Sequence, residues 1–490
     1  MGYPGSGPRR VGFSASFARV REESAAEGRA FLRRKGEMVS KTGENPRLVV
    51  VGGGLAGCEA AWQATRRGVE VTLYDMKPER MSPAHISEDF AELVCSNSLR
   101  ASPTHNAVGL LKEEMRRMGS LILEAADATS VPAGRALAVD RQGFAQYVTR
   151  AVEENPRIEV RRELVPEIPD DPFVVLATGP LTAPELARDL QRLLGEEYLY
   201  FYDAIAPTLY ADSIDHSIVF RASRYEDGEG DYLNIPMDQG QYRAFVDALL
   251  EAETVPLHKF EKALYFEGCL PLEEMARRGP QTLSFGPMKP VGLTDPRTGK
   301  RSYAVVQLRQ EDDAGVLFNL VGFQTKLRIG EQKRIFKTLP GLEKAVFARF
   351  GSVHRNTYVN APLRLAPTLE LKARKGLYLA GQIAGVEGYV ESAALGGLAG
   401  INASRAIRGE PELRAPALTA HGALLGHLGN TGAKDFQPMN VNFGLFPPLD
   451  PIPGSSRPRK RPKREKHEAL ASRALEALEA YRQAASPGDE

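Results

Sequence analysis

The chain has 490 residues, 42% hydrophobic and 26% charged, an ordinary balance for a globular protein with room for two or three domains. With 63 Lys and Arg against 62 Asp and Glu the formal net charge is +1, so no general affinity for polyanions is expected, and any nucleic-acid contact must come from a local basic patch. No apolar run approaches the ~18 residues of a membrane span, and three cysteines with no apolar signal-peptide core exclude a disulfide framework, which points to a reduced, cytoplasmic setting.

Residues 1–44 are rich in Gly, Ser, Arg and Glu and lack an apolar period. They read as a disordered leader, or as an upstream stretch ahead of a natural start at Met38, with a basic RNA-binding arm as the alternative. The organising stretch follows, RLVVVGGGLAGCEAAWQATRRGVEVTLYD from Arg47 to Asp75. It predicts a buried strand (Leu48 to Val51), a glycine turn, a helix stopped at Gly68 and a second strand from Val69 to Tyr74. Gly52 permits the tight turn, Gly54 lets a pyrophosphate reach the backbone, and Gly57 lets helix pack on strand. Gly53, Leu55 and Ala56 complete a cradle whose helix N-terminus offers unpaired N–H groups to that pyrophosphate. Asp75 ends the second strand, where a carboxylate can accept from an adenosine ribose. Cys58, just past Gly57, reads as a small buried side chain.

After Asp75 a loop carries Cys95 in CSNSLR, where a buried hydrophobe and a reactive thiol are both open readings. A helix is predicted through Val108, Leu111, Met115 and Met118. Asp140 is expected to cap another bearing Phe144, Val148 and Val152, ahead of a strand near Ile158 to Val160. FVVLATGP (Phe173 to Pro180) predicts a buried strand returning to the cofactor, with Thr182 as the next helix cap. From about Phe201 to Gly330 short alternating runs replace the strand-helix alternation, which predicts an inserted β-rich domain. Cys269 falls there on a bend between Gly268 and Pro271.

Gly376 to Gly409 then returns as a second glycine-rich strand-helix unit, with Gly381 turning into a helix after Glu391 and Ser392. Gly396, Gly397 and Gly400 on that helix would each cost ~1 kcal/mol against Ala unless a ligand or another backbone approaches closely. Such a second unit separates a flavoprotein from a plain NAD enzyme. The tail divides into a packed aromatic segment, a basic linker and an amphipathic helix from Glu468 to Tyr481. The fold class expected is α/β. A discontinuous Rossmann-like FAD-binding domain (45–200 and 331–450) carries the β-rich α+β insertion (201–330), and 451–490 form the basic linker and short helix.

Together VVGGGLAGCEAA, ELVCSNSLR, EGCLP, GFQTKLRIGEQKRIF, GQIAGVEGYVESAALGGLAGINA and FQPMNVNFGLFPPL resemble the folate- and FAD-dependent tRNA (uracil-5-)-methyltransferases, over about Arg47 to Pro448. The resemblance implies that a carbon passes from 5,10-methylenetetrahydrofolate to C5 of the T-loop uridine (position 54) of tRNA, giving ribothymidine, with NADH or NADPH as reductant and no metal or membrane. It implies Cys269 as nucleophile and Cys95 as helper or proton-transfer partner. It also implies cofactor contacts at Gly381, Gln382, Gly388, Tyr389, Glu391 and Ser392. Gln382 stands where many FAD proteins carry an acid, as it does in this branch. Tyr389 could wall a folate pocket, and Arg309 and Lys326 are candidates for folate carboxylates or tRNA phosphate. Two alternatives stand beside this reading. One is a related flavoprotein modifying the wobble uridine of tRNA; the other is a small-molecule flavin oxidoreductase with a redox cysteine pair, whose Cα atoms would have to lie within ~7 Å.

Overall fold

The computed structural model describes residues 47–195, 199–226, 228, 230–256, 270–430, 436–449 and 462–486. The leader, Cys269 and nearly all of the basic linker lie outside the described residues. The described chain opens with β1 (Leu48–Val51), α1 (Leu55–Thr65) and β2 (Val71–Tyr74). All four β1 residues are buried, as a strand with a helix on either face requires. β3 (Ser98–Ala101), α2 (Ala107–Arg117), α3 (Leu121–Ala128), β4 (Ser130–Val131), β5 (Ala136–Val139) and α4 (Arg141–Glu153) follow. The run ends with β6 (Ile158–Arg161), β7 (Val174–Leu176) and α5 (Pro184–Leu194).

Asp140 does cap α4, its Oδ1 accepting from Gly143 N at 2.6 Å. Thr182 does not cap α5. Its hydroxyl is engaged with Thr178 Oγ1 at 2.7 Å, and Ala183 precedes a helix whose first residue, Pro184, has no N–H to satisfy. Part of the CSNSLR stretch, expected as loop, is strand β3, which pairs with β5 through an irregular register.

The middle of the chain holds β8 (Leu199–Ala204), β9 (Thr208–Tyr210), β10 (Phe220–Arg221), β11 (Leu233–Met237), α6 (Gln239–Glu251), α7 (Leu272–Arg277) and α8 (Thr282–Phe285). It continues with β12 (Ala304–Gln310), β13 (Leu317–Leu320), α9 (Ile329–Phe336), β14 (Phe347–Arg349), β15 (Val353–Tyr358) and α10 (Ala361–Arg364). The chain then returns through β16 (Leu377–Leu379), α11 (Tyr389–Arg408), α12 (Ala420–Leu428) and α13 (Lys463–Ala485).

Two larger sheets carry these pieces. A five-stranded sheet runs β16-β7-β1-β2-β6 with every pair parallel, so the late strand β16 sits beside β7 in the cofactor sheet. A six-stranded antiparallel sheet runs β10-β11-β12-β13-β9-β14. On β12 the pleat sends Ala304, Val306 and Leu308 into a core with Ile235 and Phe318, and leaves Gln307 and Arg309 on the opposite face. That core continues through Ile335, Phe336 and Leu339 to Ala345, past the expected boundary at residue 330, because α9 and β14 pack on the same sheet.

α11 lies along α1. A Cβ on Gly396 would stand 2.1 Å from Ala56 O, and one on Gly400 2.3 Å from Ala60 O. Helix-on-helix approach therefore explains these two glycines. The C-terminal helix runs from Lys463 to Ala485, longer than the stretch from Glu468 to Tyr481 that the pattern predicts. Its last carbonyls are met by cations: Arg67 donates to Ala485 O, and Arg405 Nη1 to Ala484 O at 2.9 Å. Leu470, Leu478 and Tyr481 bury their side chains in a first core, the one that holds Leu48 to Val51 of the parallel sheet, and each leucine contributes roughly 1.5–3 kcal/mol.

Candidate active site

The glycine turn behaves as a cradle. Gly52 takes φ +109°, and a Cβ on Gly57 would lie 1.8 Å from Gly52 O, so neither position accepts a larger residue. A Cβ on Gly54 would meet no atom within 4 Å, because Gly54 faces the cleft. The Asp75 carboxylate closes this end. Its Oδ2 accepts from Gly53 N and its Oδ1 from Lys77 N, both at 2.8 Å, which leaves each oxygen lone-pair capacity for a ribose hydroxyl. Gly52, Gly53, Gly54, Leu55, Ala56 and Asp75 line one continuous cleft with Thr178, Gly179, Gly381, Gln382, Tyr389 and Ser392. The two glycine-rich units, 300 residues apart in sequence, thus share one cavity. His85 also lines it, its Nδ1 2.5 Å from Ser82 Oγ, and burial lowers its pKa, favouring the neutral ring.

Gln382 gives its amide to Glu387 Oε2 at 2.8 Å. Gly388 and Glu391 do not line the cleft. Glu391 is fully buried; it forms an ion pair with Arg100, and its Oε1 accepts Val441 N at 2.9 Å. Asn440 Nδ2 donates to Glu387 O at 2.5 Å. The CSNSLR, GYVES and QPMNVN stretches therefore meet around one carboxylate, and Arg100 takes the uncommon φ of +63° to reach it. Behind it Lys112 Nζ donates to Leu99 O and Arg100 O, both at 3.0 Å, and burial lowers its pKa to about 7.

Cys95 sits at the Tyr389 end of the cleft. The Tyr389 hydroxyl accepts Cys95 N at 2.8 Å and Ser96 N at 3.2 Å, so its own proton is directed to Cys95 Sγ at 3.0 Å. The sulfur is thereby an acceptor. Burial first, and then the neighbouring Cys95, raise the Tyr389 pKa well above the ordinary phenol value and keep that proton in place. Three arginines reach the same segment: Arg141 donates to Leu93 O, Arg349 to Val94 O, and Arg309 to Ser96 Oγ and Asn97 Oδ1 at 2.6 and 2.9 Å. Arg141 Nη2 also grips Glu311, at 2.7 and 2.8 Å from its two oxygens.

Arg309, read from sequence as a substrate contact, is thus turned onto the Cys95 segment. Lys326 pairs with Glu274 Oε1 at 2.6 Å, on the helix that begins three residues after Cys269. Cys58 is fully buried, its thiol donating to Gly53 O at 3.3 Å, and burial pushes its pKa up, which leaves it inert. Sequence reasoning did not find Arg141, Arg349, Asn97, Glu311 or His85. None sits in a spacing that announces chemistry; Arg141, directly after a cap, offered at most a position at a helix start.

A parallel sheet whose first turn has no room for a side chain at Gly52 or Gly57, closed by a second glycine-rich unit on the same cleft, defines a flavoprotein with a Rossmann-like FAD site. Gly54's open face and the Asp75 acceptor fit the ADP half of that cofactor. The family model described as "Glucose inhibited division protein A" matches residues 47–411. A methylenetetrahydrofolate–tRNA-(uracil-5-)-methyltransferase from Heliobacterium modesticaldum is 56% identical over 435 residues, 89% of this chain and 97% of its own. The protein of the same name from Geobacter sulfurreducens is 58% identical over 433 residues, 88% of this chain and 98% of its own. The chain belongs to the glucose inhibited division protein A family and, within it, to the methylenetetrahydrofolate–tRNA-(uracil-5-)-methyltransferases. Among solved structures, Aquifex aeolicus GidA in its form II crystal superposes with a TM-score of 0.63 at 17% identity, over 89% of this chain and 74% of that one, a likeness of fold. Among the described residues no helix is long and apolar enough to cross a membrane.

Proposed function

We propose that this chain moves the one-carbon unit of 5,10-methylenetetrahydrofolate to C5 of a tRNA uridine, the T-loop uridine at position 54, and releases ribothymidine. Family membership supports the reaction and favours it over wobble-uridine modification. The observation that carries it to this cleft is the hydrogen bond from Tyr389, a cleft residue, to Cys95 Sγ. Uracil C5 is a poor nucleophile until a group adds at C6 and makes an enolate, and a thiolate suits that step. Cys269 is the proposed nucleophile; Cys95 is its helper, moving a proton or assisting product release.

Gly52, Gly53, Gly54, Leu55, Ala56, Gly57 and Asp75 hold the ADP half of FAD, and Gly381, Gln382, Tyr389 and Ser392 the flavin half. Held there and reduced by nicotinamide, the flavin would supply the hydride that converts the exocyclic methylene to methyl. Tyr389, kept protonated, orients the Cys95 sulfur at the wall of the cleft. Reduced nicotinamide, NADH or NADPH, is the terminal reductant, and the protein works in the cytoplasm. The test is incubation with labelled methylenetetrahydrofolate, reduced nicotinamide and unmodified tRNA, followed by nucleoside analysis. Label in ribothymidine at position 54 is the expected result; label at the wobble position, or none in RNA, refutes the proposal.

A further inference from the structure

The proposed bond-making steps assign no role to the arginines around Leu93 to Asn97. Arg309 lies on the face of β12 opposite the second core, 7% exposed, and its planar fork spans two acceptors, Asn97 Oδ1 and Ser96 Oγ. Asn97 is itself fixed, giving Nδ2 to Val139 O at 2.9 Å and to Gln310 O at 3.0 Å, which turns its oxygen toward Arg309. Arg141, at the start of α4, and Arg349, on β14, take the carbonyls of Leu93 and Val94. Tyr389 closes the remaining side through Cys95 N and Ser96 N.

Side chains from four elements therefore converge on five consecutive residues, with the candidate catalytic thiol in the middle. Burying a guanidinium is expensive, and burial lowers the pKa of Arg309. Its partners in the Cys95 segment are a neutral hydroxyl and a neutral amide, and the carboxylate that supports its charge, Glu311, lies outside that segment, so ion-pair energy does not account for the contact. What the fork does supply is a fixed spacing between Ser96 and Asn97, which a lysine, with a point charge and a flexible stem, cannot reproduce. A side chain spent in this way is also withheld from folate carboxylates and RNA phosphates.

We propose that Arg309 is a positioning residue for methyl transfer: through Ser96 and Asn97 it fixes the Cys95 thiol against Tyr389 at the cofactor cleft. Arg141 and Arg349 hold the preceding carbonyls in the same clamp. The inference rests on the reading of Cys95 as a catalytic residue, but its structural half can be tested without any turnover.

The experiment compares FAD-loaded wild type, Arg309→Met, Arg309→Lys and Ser96→Ala by amide hydrogen exchange and by steady-state kinetics. In Arg309→Met the peptide spanning 93–97 should exchange about tenfold faster, while peptides of the glycine turn at 52–57 do not change. Ser96→Ala removes one acceptor of the fork and should give a smaller rise in the same peptide. If methyl transfer is the activity, kcat should fall about tenfold in Arg309→Met with KM for tRNA and for folate held, and Arg309→Lys should recover only part of the loss. Unchanged exchange at 93–97 overturns the clamp, whatever the activity. A rise in KM with a reduced salt dependence of tRNA binding, kcat being held, would make Arg309 a phosphate contact and overturn it as well. A wild type that exchanges as expected but transfers no methyl group would reject the functional reading and leave the clamp standing.

Discussion

The two ends of the cofactor cleft are built by different means. The ADP end is backbone: a strand, four glycines and a helix N-terminus lie within the ten residues from Leu48 to Gly57, and one local carboxylate, Asp75, closes it. The Cys95 end is side chains brought from α4, β12, β14 and α11, up to 294 residues away in sequence. Backbone sites are set by which residues lack a Cβ, so a substitution either fits or does not. Networked sites degrade by steps, because each lost bond leaves the others in place. The first end is the proposed cofactor site; the second carries the proposed chemistry.

The largest effects should come from adding carbon to glycines at or beside the backbone-built turn, and two of them should fail differently. Gly400→Val drives a side chain into the backbone of α1, where even a Cβ stands 2.3 Å from Ala60 O, so a loss of about 3–5 kcal/mol or no folded protein is expected in denaturant melts. Gly54→Val finds open space and an ordinary φ of −78°, so apoprotein stability should stay within about 1 kcal/mol while FAD binding weakens by about 100-fold or more. Equal loss of stability in both variants would erase the distinction between packing glycine and cofactor glycine.

Removing one hydroxyl probes the networked end. Tyr389→Phe removes the hydroxyl that accepts from Cys95 N and Ser96 N and donates to Cys95 Sγ, a cost of about 1–3 kcal/mol. Methyl transfer should fall about tenfold with FAD retained. Full activity in Tyr389→Phe would show that the sulfur is oriented by something else.

The smallest effect is a pH dependence at the back of that end. Lys112 has a folded-state pKa of about 7, below the ordinary lysine value of about 10.4. Between these values the unfolded chain holds a proton that the native state lacks, so stability rises with pH across that window and the penalty is complete below about 7. Urea midpoints at pH 7 and pH 9 should therefore rise less in Lys112→Met than in wild type. An identical rise in both would remove Lys112 as its source.

The same contrast governs what could be read in the sequence. The parallel cofactor sheet, the glycine turn and the return at Gly381 were legible because each is a local pattern with a steric reason. Gly396 and Gly400 signalled a close approach, and the structure identifies the neighbour as α1. Glu391 looked like a cofactor contact because it falls in the second glycine-rich unit, yet an α-helix turns neighbours to different faces, and Arg100 claims it. Thr182 looked like a cap because hydroxyls usually serve there, but Pro184 had removed one of the donors. Arg141 and Arg349 left no local trace. Their role exists only once β12, β14 and α4 are folded against the Cys95 segment.

If chemistry resides at the thiol end while the glycine end only holds the cofactor, thiol variants should lose turnover and keep flavin. One comparison tests this most directly: flavin content and methyl transfer to tRNA in the same preparations of wild type, Cys95→Ala and Cys269→Ser. Both variants should purify with full flavin absorbance and transfer at least about 100-fold less methyl than wild type, because alanine and an un-ionised hydroxyl cannot replace a thiolate. Methylation at the wild-type rate in both variants would contradict that division between the two ends.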